Sequence, residues 1–220
     1  MLPPEEIEKF NVVSPTNSYS SEKIQAAIEA FADKYADLPQ EDEVIGGVRW
    51  KKVIGKEIYF ADVADDEPVI ISSDINLLKP ATFVISTGVV VRGNIQGSSM
   101  WLVKGQVKFD PANVDEPQVV DGIWIAKDGF DKTRIRNDDL NKEWAKRGDL
   151  KVRGILIGNG VDEVKENGRS VLGDIWRVDA NIYKLIIDGA SLKIVTNPML
   201  WIAPPPGIVD LLQAVQRQTW

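Results

Sequence analysis

Asp121, Asp128 and Asp131, with Asp138 and Asp139 just beyond, are the densest group of side chains in this chain that could do chemistry. Carboxylates about 5 to 10 Å apart can cleave glycosidic bonds, one as acid and one as nucleophile or base. The same oxygens suit Ca²⁺, a hard cation. Trp144, within the charged stretch that follows, would give such a site a stacking platform for a sugar. A plainer reading stands beside these, because Asp121-Gly122 and Asp128-Gly129 are also turn dipeptides.

The chain has no cysteine and no histidine. This removes thiol nucleophiles, Ser-His-Asp triads, imidazole bases and the usual zinc, copper or haem ligands, so carboxylate chemistry is what remains. No disulfide framework is available. No cofactor is expected, with Ca²⁺ on the aspartate oxygens as the alternative. The fragments Gly93-Asn94 and Gly158-Asn159-Gly160 lack the lysine and helix of a phosphate loop and read as turns. Trp101 and Trp124 lie inside apolar runs, where core packing is their natural role.

The elements that would position these groups are short and β-rich. From Gly46 onward, apolar runs such as Thr82 to Ile85, Val89 to Val91, Trp101 to Val103 and Gly122 to Ala126 follow one another, several without alternation, as strands covered on both faces would. Gly88, Gly105 and Gly122 recur every 17 residues, and Gly154 and Gly189 repeat the pattern later. A glycine at a fixed period is expected where each turn of a solenoid corners tightly over the one below. The expected fold is therefore mainly β, a single-stranded parallel β-helix with short N- and C-terminal capping helices.

The domain plan has three parts. Residues 1–45 hold a proline-bearing extended arm (1–19) and an amphipathic helix in which Ile24, Ile28, Phe31 and Tyr35 share a face that Pro39 terminates. Residues 46–203 form the solenoid, with a charged insertion at 127–149. Residues 204–220 open on Pro204-Pro205-Pro206-Gly207 and continue as a short helix. The helix stripe suits either a cap over the solenoid's own end or a contact for assembly with another copy, and the arm could add a strand to a neighbour.

The stretches Gly105 to Pro111, Val119 to Phe130 and Leu150 to Gly160 together resemble uncharacterised predicted surface or secreted proteins of candidate-phylum bacteria, over roughly residues 83 to 170. That resemblance implies a parallel β-helix exposed outside the cell and transfers no catalytic residues. A weaker likeness is to bactofilins, small β-helical proteins that polymerise end to end.

The net charge of −7 opposes nucleic acid, and no apolar run is long enough to span a bilayer. Residues Met1 to Glu6 carry neither the basic nor the apolar segment of an export signal. The functional expectation is a non-enzymatic structural or assembly protein of a bacterial cell surface, a subunit of a filament or layer that associates with itself or with other surface proteins. Its alternatives are a carbohydrate-binding or carbohydrate-cleaving β-helix and a bactofilin-like polymer.

Overall fold

The structure is a computed structural model and describes residues 21–64, 67–110, 118–130, 150–158, 192–195 and 197–211. The arm at 1–19, most of the charged insertion, the glycine at 189 and the C-terminal residues after 211 lie outside the described residues.

The chain is mainly β, its sheet curled into a half-barrel with short helices. Helix α1 (Ser21–Ala36) precedes an antiparallel hairpin of β1 (Gln40–Ile45) and β2 (Val48–Val53). Gly46 and Gly47 join them with φ of 63° and 81°, the left-handed pair that a two-residue hairpin turn requires. Strand β3 (Ile58–Ala61) pairs antiparallel with β2, and from there on every described pairing is parallel. One ladder runs through β3, β6 (Ala81–Ile85), β9 (Ser99–Val103), β11 (Gln118–Ala126), β12 (Leu150–Gly158) and β13 (Leu192–Val195). A second joins β4 (Val69–Ile71), β7 (Val89–Val91) and β10 (Val107–Phe109), and a third joins β5 (Ile75–Asn76), β8 (Ile95–Gln96) and Val120 of β11. Ile58 faces Thr82, Thr82 faces Met100 and Met100 faces Ile123, so the chain returns over itself after 24, 18 and 23 residues.

Inward side chains of all three ladders meet in one apolar interior. Its axis is an in-register row, Tyr59, Phe83, Trp101 and Trp124, with neighbouring ring centroids 5.0, 4.1 and 4.7 Å apart and planes within 16° of parallel. Every residue of β6 and β9 is buried, because the outer side of this ladder is covered too. Val53, Ile58, Val84, Met100, Leu102 and Ile123 form a second cluster there with α1 and the segment 199–211. The unalternating apolar runs are thus strands buried on both faces, as read from sequence.

Two sequence expectations change. Gly88 and Gly105 do stack at one corner, where a Cβ on Gly105 would sit 2.6 Å from the Gly88 nitrogen. Gly122 leaves that column: it lies within β11, beside Ser99 and opposite Gly154. The corner above Gly105 is instead Asp128-Gly129, where Asp128 N–H donates to the Gly105 carbonyl and Val107 N–H to that of Gly129. The 17-residue period therefore holds for one step and fails at the next, because the succeeding turn is longer.

The second change concerns the cap. Ile24, Ile28, Phe31 and Tyr35 are buried against the flank of this chain's own sheet, which occupies the face offered above for end capping or assembly. The base of the interior is filled by the hairpin, whose Trp50 packs edge-on to Phe83 at 4.9 Å and donates its indole N–H to the Ile45 carbonyl.

Trp50→Ala should therefore cost about 3–5 kcal/mol by chemical denaturation, the usual loss for a buried tryptophan. Leu78→Ala, at a side chain 94% exposed, should leave the midpoint nearly unchanged.

Candidate functional site

Beneath Tyr59 the aromatic row ends in a cation. Lys52 opposes Tyr59 across β2 and β3, and its ammonium lies 5.5 Å from the ring centroid. It looks into a cleft of about 350 Å³ at the base of the fold, between the β1–β2 hairpin and the segment from Asp74 to Ala81. Glu43 and Glu57 flank the ammonium at 3.2 and 3.4 Å, Lys79 approaches Glu57 at 3.5 Å, and Tyr59 donates its hydroxyl proton to Glu57 at 2.6 Å. Glu43 and Glu57 thus share one ammonium between them.

The electrostatics of the cleft fix the protonation of Glu57, Lys52 and Tyr59. The hydrogen bond from Tyr59 holds the Glu57 carboxyl below its ordinary range, against the cost of burial and with help from Lys52. Burial would pull Lys52 down, but its hydrogen bond to Glu43 and the nearby negative charges outweigh that and push it up. Burial, then the bond to Glu57, pushes the Tyr59 phenol up. Each group is held more firmly in the form it already has at neutral pH, whereas a general acid or base needs a value near the working pH.

Of the aspartates singled out from sequence, the two that are described, Asp121 and Asp128, do not come together as a pair; Asp138 and Asp139 lie outside the described residues. Asp121 is 3% exposed and fully engaged: Arg153 donates Nε and Nη2 to its two oxygens at 2.5 and 2.7 Å, and the Gly97 N–H donates at 2.9 Å. Asp128 sits exposed in the turn after β11, beside Lys127 at 3.5 Å. The extended stretch from Gly122 to Ala126 that separates them spans roughly 13 Å. Asp131 and Trp144 lie outside the described residues. Trp101 and Trp124 are core residues. Among the described residues no group of three acidic side chains could hold a metal ion. No described helix is long and apolar enough to cross a membrane.

A second polar constellation ties the flank together. Tyr35 of α1 donates to Asp210 at 2.5 Å, and Lys34 reaches the same carboxylate at 2.7 Å. Thr82 and Ser98 donate their hydroxyls to the carbonyls of Pro206 and Ala203, so the segment 203–210 is strapped across the sheet. Burial, then Asp210, pushes the Tyr35 phenol up to about 12. Hydrogen bonds from Lys34 and Tyr35 hold Asp210 below its ordinary value.

Sequence reasoning missed the base cleft. Its signal was present in Gly46-Gly47 between two β-prone runs, which marks a hairpin. The chain matches no family model, no curated protein and no solved structure.

The Tyr35 proton is favoured by folding, so its contribution to stability should be complete below pH 10 and drain away as pH rises through about 12. Asp210, shifted the other way from 3.8, should contribute above that value and be lost in acid. Tyr35→Phe should flatten the alkaline limb of a stability-pH profile and, by removing one of the two hydrogen bonds that lower Asp210, make the acid limb shallower while Lys34 preserves part of it. An alkaline limb identical to the parent's would refute the clamp.

Proposed function

We infer that this chain is a non-enzymatic parallel β-helix serving as a structural or assembly component, a stiff module of a bacterial cell surface. The observation that carries the reading is the in-register interior row from Tyr59 to Trp124, with parallel ladders on three sides of one interior. Stacked turns of this kind transmit load along the axis and present flat flanks. Among the described residues, Asp121, Asp74 and the base cleft's charged groups are engaged in structural contacts. Asp121 braces Arg153 and Gly97, and Asp74 accepts from the Asn94 backbone and side chain one turn above. Lys52 and Glu57 are each held in their charged forms.

On this reading, subunits would meet away from the base and from α1. The hairpin closes the base, and α1 spends its apolar face within the chain. A filament or layer would therefore form through the arm at 1–19 or through the end opposite the base. The cell-surface location rests on the resemblance of residues 83 to 170 noted above.

Electron microscopy and sedimentation velocity of the full chain and of a chain lacking residues 1–19 test this reading. Ordered assemblies from the full chain that are lost on truncation support arm exchange. A monodisperse monomer in both samples, together with turnover of a polysaccharide that Glu57→Gln abolishes, would replace the structural reading with an enzymatic one.

A further inference from the structure

The lowest strand of the curled sheet, β1, has a partner on one side only among the described residues. Which backbone groups face outward follows from the pairing. In an antiparallel pair, alternate residues turn both their N–H and their C=O to the partner strand. The two-residue turn between Ile45 and Val48, and the Ile54 N–H donating to the Pro39 carbonyl at 2.9 Å, fix the phase. Glu41, Glu43 and Ile45 bond inward to β2. Gln40, Asp42 and Val44 therefore direct their amides and carbonyls outward, along an edge to which no described strand bonds.

Natural proteins usually defend such an edge against self-pairing with charged side chains, lysine most often, or with proline or a bulge. Here it carries three consecutive carboxylates, Glu41, Asp42 and Glu43, and no cation. The lysines that answer two of them, Lys51 and Lys52, stand on the inner strand β2, while Glu41 has no ion-pair partner among the described residues. Beside the edge, Val44 is 69% exposed and Leu78 projects from the facing side of the base cleft. The edge thus joins free backbone groups, negative charge and an apolar rim. A second copy of β1 is a poor match, because antiparallel self-pairing would set carboxylates against carboxylates.

We propose that the outer edge of β1 is a docking strand for an extended segment of a partner protein in which lysine or arginine alternates with β-branched residues. The segment adds to the sheet by backbone hydrogen bonds, its basic side chains meet Glu41 and Glu43 on one face, and its β-branched side chains lie on the other beside Asp42 and Val44. This concerns the base alone and goes beyond the structural role argued above. A chain that assembles yet ignores such a segment would overturn the docking edge and leave the structural reading standing.

The test uses the full chain and a fluorescein-labelled hexapeptide of alternating lysine and valine, with the glutamate-valine hexapeptide as control, followed by fluorescence anisotropy. The lysine peptide should bind, weakening as salt rises, and the glutamate peptide should not. Val44→Pro removes one outward N–H at a position where an edge strand tolerates proline, and should weaken binding at least tenfold with near-ultraviolet circular dichroism unchanged. Glu41→Lys leaves the backbone intact and should weaken binding severalfold, so the proposal stays testable if the proline variant misfolds. Equal binding of both peptides, parental affinity in a folded Val44→Pro or in Glu41→Lys, or a parent dimer that Val44→Pro dissociates would each overturn it.

Discussion

Four rings stacked in parallel register hold this fold together. Tyr59, Phe83, Trp101 and Trp124 occupy equivalent positions on successive strands, so each turn of chain places its ring on the ring below. Burying side chains of this size contributes about 1.5–3 kcal/mol each, and offset or stacked aromatic contacts add about 0.5–1.5 kcal/mol per pair. The stack also selects the register. A slip of one residue in β6 would bring Thr82 and Val84 inward and turn Phe83 out, exchanging the two faces of the strand. At the base the row meets Lys52, whose charge over the Tyr59 ring and between two carboxylates ends the apolar column at water.

The ladder stands only because its other side is covered. Val84, Met100, Leu102 and Ile123 would be a solvent-exposed apolar face were α1 and the strap at 199–211 not laid across them. Phe31 packs so closely that a Cβ on Gly207 would come within 2.4 Å of its ring. The glycine there is required both by its φ of 79° and by that ring. Helix, strap and sheet are one cooperative unit, with the Tyr35–Asp210–Lys34 clamp at its seam.

How much of this was legible in the sequence depends on how local the signal is. The helix stripe from Ile24 to Tyr35 and the doubly buried strands at 81–85 and 99–103 were readable, since periodicity and its absence report burial directly. The glycine spacing misled because turns of 24, 18 and 23 residues carry no constant period. Gly122 falls 17 residues after Gly105 yet belongs to a bend inside β11. Asp121 looked like a ligand group because its partner, Arg153, is 32 residues away in sequence and adjacent only through the β11–β12 pairing. The base cleft was only half legible: the β1–β2–β3 turns bring Glu43, Lys52 and Glu57 together locally, but Asp74 to Ala81 close the cleft only through the curl of the sheet.

The central claim is that neighbouring rings of the row stabilise one another beyond what each buries. A double-mutant cycle on Phe83→Leu and Trp101→Leu, read by chemical denaturation, measures that coupling directly. The account predicts about 1 kcal/mol of non-additivity between these two rings, 4.1 Å apart. Effects that simply add to within about 0.3 kcal/mol would contradict it.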